Sequence, residues 1–265
     1  MTKKRWVTLA AIVASVLLTL VIVVAMVNRT TDEQSQAADP AAADAQPVDP
    51  GPPQRPPTPG AIETDLSGRQ VVLPGNPAGD ILSESSDDGG TCDDIVSPQG
   101  VQIQQVNAYP LLFSTDSGPT RIEGAVPTGY ADGPRGALLA GTNYLWLMQS
   151  GGTAGKETVR KHVVAEDQFR EIVEAEVQDG ANTSQNSLGA PVAFKVRSCS
   201  ADAVVIDYAY DLFGDATGPF PEPKWLVQSV LVVRDQDQWK LSMRQGSYTN
   251  RGVTENKSGF ISWQL

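Results

Sequence analysis

The pattern of apolar positions divides the chain into an N-terminal anchor and a folded part. A run of mostly apolar residues begins at Trp6, ends at Val27 and contains no charged side chain. About 22 residues at roughly 1.5 Å each give about 33 Å, which is enough to cross a hydrocarbon core of about 30 Å. Because lipid offers no water to backbone groups, such a segment must be helical there. The run therefore predicts one transmembrane helix over residues 6–27.

The charges on either side of this run predict its orientation. Three basic residues precede it, whereas Arg29 is followed closely by two acidic residues. Basic residues favour the cytoplasmic side of a membrane. We therefore expect residues 1–5 to form a cytoplasmic tail and the C-terminal part to lie outside the cytoplasm at the cell membrane. A cleaved signal peptide is the alternative, but its apolar region is shorter and ends in a small-residue site, which residues 26–29 do not provide.

The segment after the anchor has the composition of a linker. Residues 28–65 are rich in Ala, Pro, Asp and Gln and contain little that a core could bury. Such a sequence favours an extended, disordered spacer that its prolines stiffen. Its proline pairs also suit a docking peptide, although a passive tether is the simpler interpretation. We expect one extracytoplasmic domain at residues 66–265, with its regular core at about 106–265.

The folded part begins with helical periodicity. Pro134 is suited to the first turn of a helix capped near Asp132, and the apolar positions after it predict a largely buried helix that ends at Gly151. A second apolar stripe, at spacings of three and four, predicts a helix from Gly155 or Lys156 to Gln178. The earlier residues 66–115 show no regular pattern apart from a short strand at 71–73.

Apolar and polar positions alternate in the last third of the chain, as in strands that pack one face on a core. Four strands are predicted, at residues 192–199, 203–212, 225–234 and 239–244, with residues 235–238 as the hairpin loop between the last two. The terminal segment 259–263 is apolar enough to dock on the domain. Helices followed by long antiparallel strands indicate an α+β fold with the helices packed on a curved antiparallel sheet. This element order is similar to the nuclear transport factor 2-like (cystatin-like) fold.

Charge and cysteine content limit the classes of ligand and metal site that we expect. The chain has a net charge of −11, and affinity for nucleic acid comes mainly from Lys and Arg that neutralise phosphates, so we expect no direct nucleic-acid binding. Cys92 and Cys199 are disulfide candidates, because a disulfide persists outside the membrane, and the bond would close a loop of about 108 residues. Two unpaired thiols are the alternative. With one histidine in the chain, they do not form a structural zinc site.

Candidate catalytic residues are few. His162 has Glu166 four residues later, but a helix-surface ion pair is far commoner than a catalytic dyad. Asp207 and Asp211 share one strand face and suit an acid–base pair in a cavity, although the alternation predicts that they point to solvent. The acidic stretch 83–94 lacks the ligand spacing of a calcium loop. We therefore predict no catalytic residue, no cofactor and no metal site.

Aromatic side chains are the remaining candidates for interaction or cavity residues. They are more typical of a core or an interface than of a ligand box, and they comprise Tyr208, Tyr210, Trp225 and Trp239.

Several motifs carry a resemblance to known proteins. They are the block GYADGPRGALLA at residues 129–140, the Gly118-Pro119 turn, the Asp-x-Trp hairpin at 237–239 and the Gly-Phe-Ile-x-Trp segment at 259–263. In these the chain resembles a group of membrane-anchored actinobacterial proteins of unknown role, over most of residues 106–265. Its layout is also similar to single-pass scaffold subunits of type IV secretion and conjugation machines, which carry a nuclear transport factor 2-like domain outside the membrane.

This resemblance implies a non-enzymatic scaffold or assembly component of a conjugation, secretion or cell-envelope apparatus. The expected partners are the lipid bilayer through residues 6–27, other membrane or envelope proteins, and a second copy of the chain. Two alternatives stay open: an envelope ligand-binding or regulatory module, and a steroid-isomerase-like enzyme. The first requires a deep apolar cavity, and the second also requires a group with a displaced pKa inside it.

Overall fold

The computed structural model describes residues 60–167, 170–171, 189–215 and 217–265. The predicted cytoplasmic tail, the predicted transmembrane helix and nearly all of the predicted linker lie outside the described residues. Within the described ranges, no helix has the length and apolarity that crossing a bilayer requires. The chain divides into two compact units, and the hairpin segment Phe213–Glu222 does not belong to the same unit as Pro59–Leu212 and Pro223–Leu265.

The described chain is mostly β-structure. Its elements follow one another as β1 (Ile62–Thr64), β2 (Gln70–Val72), β3 (Gln102–Val106), β4 (Tyr109–Phe113), β5 (Arg121–Glu123), β6 (Val126–Thr128), α1 (Pro134–Gln149), α2 (Gly152–His162), β7 (Val163–Val164), β8 (Ala193–Ser200), β9 (Ala203–Asp215), β10 (Gly218–Asp235), β11 (Gln238–Ser242), β12 (Tyr248–Thr254) and β13 (Ile261–Ser262).

The strands within the described ranges form three sheets. A four-stranded sheet has the order β1-β2-β3-β4, and β5 pairs with β6 in a small ribbon. The large sheet has the order β13-β8-β9-β10-β11-β7, and β12 also pairs with β10. In this large sheet β7 runs parallel to β11, whereas β12 and β13 are antiparallel to their neighbours.

The predicted α+β fold with helices packed on one curved sheet is therefore wrong. The helices whose bounds lie within the described residues have only 16 and 11 residues. Helix α1 contacts two different sheets: Tyr208 of β9 donates a hydrogen bond to the Leu138 carbonyl at 2.7 Å, and the Asn143 amide exchanges hydrogen bonds with the backbone of Leu112 on β4. The similarity to the nuclear transport factor 2-like fold rested on the predicted order of elements, and that order did not include the first sheet.

The short strand predicted at 71–73 is confirmed as β2, whereas the other strands of the first sheet were missed because they carry no alternation. All five residues of β4 are buried, so its sequence is a short apolar run that periodicity cannot assign. The neighbouring β3 contains Gln104, which is fully buried. Its amide exchanges two hydrogen bonds with the backbone of Asp80, at 2.7 and 2.8 Å. In the sequence, a glutamine predicts an exposed position. Only its hydrogen-bond partner in the folded protein explains why this one is buried.

Helix α1 begins at Pro134, as predicted, and most of its residues are buried. Its N-cap is Gly133 and not Asp132, and no side chain caps it. Backbone carbonyls do so instead: the N–H of Gly133 donates to Asp88 at 2.6 Å, and the N–H of Arg135 donates to Gly89 at 3.1 Å. A preceding loop thus satisfies donors that a helix start leaves unpaired.

Helix α2 is shorter than predicted. An ion pair on its surface joins the Lys161 ammonium and the Glu157 carboxylate at 3.8 Å. The helix nevertheless ends at His162, because Val163 and Val164 pair with β11 as strand β7. β-Branched residues accept either conformation, and the free edge of the large sheet decides between them. The predicted continuation beyond residue 171 lies outside the described residues.

The four strands predicted in the last third are confirmed, each with somewhat different bounds. In the β10–β11 hairpin, Asp235 pairs with Gln238, and the two residues between them have φ near +53° and +58°, as a two-residue type I′ turn requires. The C-terminal segment docks as predicted. It adds β13 to β8, and Trp263 packs on Phe194 with ring centroids 4.6 Å apart.

Candidate functional site

The large sheet has two chemically different faces. On its inner face Tyr208 contacts helix α1, and a Cβ built on Gly141 of that helix would lie 2.8 Å from Val232. Because side chains alternate along a strand, Asp207 and Asp211 lie on the opposite face. We call this the outer face, and it carries Lys195, Arg197, Asp207, Asp211, Trp225, Arg251 and Lys257.

Two arginines hold one buried carboxylate at the centre of the outer face. Arg197 donates its Nε–H to Oδ2 of Asp207 at 2.6 Å, and Arg251 donates its Nε–H to Oδ1 at 3.2 Å. The Asp207 side chain is 1% exposed, whereas those of Arg197 and Arg251 are 45% and 43% exposed. The arginines therefore cover the carboxylate and present their own outer edges to solvent.

Both arginines occupy β-bulges. On β8, Val196 pairs with Ile206 and Ser198 pairs with Val205, so that Arg197 is the extra residue. On β12, Gly252 pairs with Val227 and Asn250 pairs with Gln228, so that Arg251 is the extra residue. A bulge leaves one residue unpaired and changes the direction of its side chain. Two independent bulges thus direct two guanidinium groups onto the same aspartate.

The terminal nitrogens of these arginines are mostly unoccupied within the described chain. Arg251 donates one of them to the Ser229 hydroxyl at a long 3.4 Å, and the hydrogen bond of Arg197 to Asp207 uses only Nε. A guanidinium group has five N–H donors in a fixed planar arrangement. The pair therefore retains donors for a further acceptor.

A second cluster lies beside the first on the outer face. Asp211 accepts hydrogen bonds from the Ser67 hydroxyl at 2.5 Å and from the Trp225 indole at 2.8 Å. The ammonium group of Lys257 lies 4.4 Å from the centroid of the Trp225 ring, which is a cation–π distance. The half-buried Trp225 ring is therefore held by its N–H and covered in part by a lysine.

The two aspartates are not arranged as an acid–base pair. They stand four residues apart on one strand, so their Cα atoms are separated by about 13 Å. All four of their carboxylate oxygens accept hydrogen bonds from arginine, serine or tryptophan. Asp207 is also not solvated as the alternation predicted, because Arg197 and Arg251 cover it. The steroid-isomerase-like alternative requires an acid–base group inside an apolar cavity, and these two aspartates do not support it.

Three of the four aromatic candidates belong to the core. Tyr208 and Tyr210 are fully buried, and burial raises the pKa of both hydroxyls. Trp239 is 4% exposed and donates its indole N–H to the Ala131 carbonyl at 2.9 Å. Of the four, Trp225 alone lies on the outer face, where a partner can reach it.

His162 lies in the core. It is 2% exposed and stacks on Tyr144 with ring centroids 4.8 Å apart and planes 12° apart. Burial lowers its pKa to about 4, although Glu123 opposes the effect. Because α2 ends at this residue, Glu166 no longer follows it on the same helix. The ring is neutral at pH 7 and forms part of the packing.

The acidic stretch 83–94 is attached to the rest of the fold by backbone hydrogen bonds and by a disulfide. Cys92 and Cys199 form the predicted disulfide, with a sequence separation of 107. Asp87 forms an ion pair with Arg135, which also lies 3.3 Å from Asp116. In the part of the chain that the structure describes, no three His, Cys, Asp or Glu side chains converge to hold a metal ion.

Asp116 is the most extensively bonded carboxylate near this stretch. Burial alone would raise its pKa, but hydrogen bonds from Ser117, Ser114 and the backbone of Gln99 outweigh burial and lower the pKa. Its partners explain its ionised state without a ligand.

The arginines were missed in the sequence. Arg197 falls within a predicted strand and Arg251 in a polar segment, and neither has a motif around it. The one available signal was a pair of basic residues, Lys195 and Arg197, on a strand of an acidic chain. Bulges and strand register decide whether such residues converge, and both are properties of the assembled sheet.

Comparison with known proteins places the chain in a family. A family model described as a domain of unknown function (DUF8175) matches residues 70–262. No match was found among curated proteins or among solved structures. The matched range runs from β2 to β13 and includes the disulfide and the outer face. The chain therefore belongs to the DUF8175 domain family.

Proposed function

We propose that this protein is a non-enzymatic scaffold or assembly component of a conjugation, secretion or cell-envelope apparatus, and that the outer face is where a partner protein binds. The observation that carries the proposal is the half-buried Trp225 on the same sheet face as the half-exposed Arg197 and Arg251. Tryptophan and arginine are enriched among the residues that dominate binding energy at protein interfaces. An ordered surface of this composition suits recognition.

The chemistry of the titratable groups supports a binding role over a catalytic one. A general acid or base needs a proton-accepting atom within reach of a substrate. The oxygens of Asp207 and Asp211 are engaged by structural donors, and His162 is stacked in the core. These groups act in the proposal as positioning and packing elements.

In this proposal residues 6–27 anchor the chain in the membrane and residues 28–65 hold the domain away from it on the outer side. The apolar run and its flanking charges support the anchor, and a disulfide such as Cys92–Cys199 is typical of an oxidising compartment. Fusion of alkaline phosphatase to the C-terminus tests the orientation, because this enzyme becomes active only after export. An inactive fusion beside an active cytoplasmic reporter would contradict the proposal.

Site-specific photocrosslinking in living cells tests the binding surface. Thr249 is exposed and pairs with Ser229 beside the arginine cluster, so a photoreactive residue at position 249 samples the outer face. The matched control carries the same residue at Arg121 of the β5–β6 ribbon, which is 50% exposed. We expect a specific protein adduct from position 249 that Trp225→Ala weakens. Equal adducts from positions 249 and 121, or none from 249, would overturn the proposal.

A further inference from the structure

We infer that the outer face binds an acidic, extended peptide segment of a partner protein, whose carboxylates are held by Arg197 and Arg251. The inference rests on the proposed function, since it specifies the chemistry of the partner at that surface. It follows from the anchoring of the arginines, from the charge of the face and from the neighbouring tryptophan.

Asp207 acts as a buried anchor for the two arginines. Its oxygens accept one Nε–H from each guanidinium group, which fixes two flexible side chains before any ligand arrives. Restricting side chains in advance reduces the entropy that binding must overcome. The remaining N–H groups of an arginine form a planar fork that matches a carboxylate in a bidentate arrangement. The site is thus a preformed pair of carboxylate receptors.

The charge of the face favours an anionic ligand. Two lysines and two arginines lie there with two aspartates, and the oxygens of both aspartates are already engaged. The chain as a whole has a net charge of −11, so this local excess of positive charge is the reverse of its average. A ligand carboxylate within the Debye length of about 8 Å experiences the local cations more strongly than the distant acidic groups.

The contrast between the positive outer face and the acidic chain also favours a small ligand over a large one. An anionic membrane is a charged plane that faces much of the acidic chain at once, and repulsion from the whole molecule opposes its approach. A short acidic peptide approaches only the cationic part. The Trp225 ring beside the arginines offers an apolar contact for a side chain of that peptide. The shared chemistry of carboxylates and phosphates makes a phospholipid surface the competing outcome.

Binding of defined peptides to the purified full-length chain in uncharged detergent micelles tests the inference. The probe is a fluorescent peptide of six glutamates, and its neutral counterpart has six glutamines. We expect the glutamate peptide to bind at least tenfold more tightly, measured by fluorescence anisotropy, and to weaken as salt increases. Equal binding of the two peptides, or no binding at low salt, would overturn the inference.

Variants separate the arginine pair from general charge. The triple variant R197Q/D207N/R251Q removes both arginines together with the buried carboxylate, which avoids leaving that charge unpaired, and circular dichroism verifies its fold. Its net charge changes by one, as does that of R121Q, the matched control on the β5–β6 ribbon. We expect a loss of at least tenfold in the triple variant and less than twofold in R121Q. Similar losses in both would refute a specific site.

Two further comparisons distinguish the nature of the site. R197K/R251K retains the charges but loses the planar forks, so we expect a several-fold loss, and full retention would refute the bidentate arrangement. Vesicles of phosphatidylglycerol and of phosphatidylcholine provide the membrane arm. Vesicle binding that the triple variant abolishes, without any binding of the glutamate peptide, would assign the face to lipid and overturn the inference.

The failure of this inference differs from the failure of the proposed function. A specific adduct from position 249 that weakens in W225A but survives in the triple variant leaves the binding surface standing and refutes its acidic ligand. The absence of any specific adduct refutes the proposed function, even where the glutamate peptide binds in vitro. Loss of the adduct in both variants, with selective glutamate binding, is the result that both statements predict.

Discussion

Gly133 and Asp88 are joined backbone to backbone, with the N–H of Gly133 donating to the Asp88 carbonyl at 2.6 Å. A Cβ on Gly133 would lie 2.3 Å from the Gly90 carbonyl oxygen, which is far inside van der Waals contact. The same close approach supplies the acceptors at the start of helix α1. It explains why the block at residues 129–140 has glycine immediately before Pro134: the loop that carries Cys92 needs the space.

Replacing Gly133 by alanine should therefore destabilise the domain. Its φ of −80° is allowed for any residue, so the effect comes from the clash with the loop and not from backbone strain. We expect a loss of about 1–3 kcal/mol, typical of overpacking, measured by chemical denaturation. Gly75→Ala is the matched control, because its new Cβ would have neighbours no closer than 3.7 Å. Equal stability of the two variants would show that the loop moves aside.

Protonation of His162 should destabilise the fold in mild acid. The pKa of this residue is about 4 in the folded chain and near 6.5 when unfolded, so the unfolded chain binds the proton more tightly. Its contribution is constant above about pH 6.5 and becomes unfavourable as pH falls towards 4, by roughly 3 kcal/mol in total. Urea unfolding at pH 7.5 and pH 5 measures the effect.

His162→Gln provides the control for this pH dependence, since it cannot titrate. We expect the free energy of unfolding of this variant to change less between pH 7.5 and pH 5 than that of the natural sequence. Glu123, Glu157, Lys161 and Lys240 also act electrostatically on the ring, and all four are the same in both chains. Parallel pH profiles for both chains would assign the acid sensitivity to other groups.

Reduction of the disulfide should lower stability substantially. The bond between Cys92 and Cys199 joins residues 107 apart, and in the chain-entropy model a loop of about that length is worth roughly 4.7 kcal/mol. We expect a loss of about 2–5 kcal/mol when denaturation is followed in reductant. The variant C92S/C199S should unfold at the lower midpoint with or without reductant. An unchanged midpoint, with both thiols titratable, would contradict this expectation.

The arginine pair should be essential to the buried Asp207 carboxylate. In R197Q/R251Q that carboxylate loses both cations while it stays within the sheet, and leaving one partner of a buried ion pair alone costs about 3–5 kcal/mol. Adding D207N should restore much of the loss, because the stranded charge is then removed. Free energies of unfolding for the natural, double and triple chains measure the difference. A triple variant as unstable as the double would locate the cost in lost packing of the arginine stems.

Several parts of the fold were predictable because local pattern and tertiary environment agree. The alternation along β9 placed Tyr208 and Tyr210 in the core, and Pro134 identified the start of α1. The hairpin at residues 235–238 and the docking of Trp263 also followed from residue type alone. In each case the residues that predict the element are the same residues that become buried in it or that form its turn.

Other parts depend on partners that are distant in the chain. Strand β4 is buried on both faces and carries no period, and Val163 left the helical pattern because an edge of the large sheet was available to it. Because β3 and β4 were not predicted, the sequence indicated an α+β fold for a chain that is mostly β-structure. Periodicity records how one face differs from the other, so it says nothing where both faces are buried.

The sequence by itself determined the apolar run at residues 6–27, the acidic composition, the two cysteines that could pair and the alternating strands. The tertiary structure alone decided that Arg197 and Arg251, more than 50 residues apart, converge on Asp207. The physical reason is that their positions are set by two bulges and by the order of four strands. Register is a property of paired chains, and no single segment of sequence contains it.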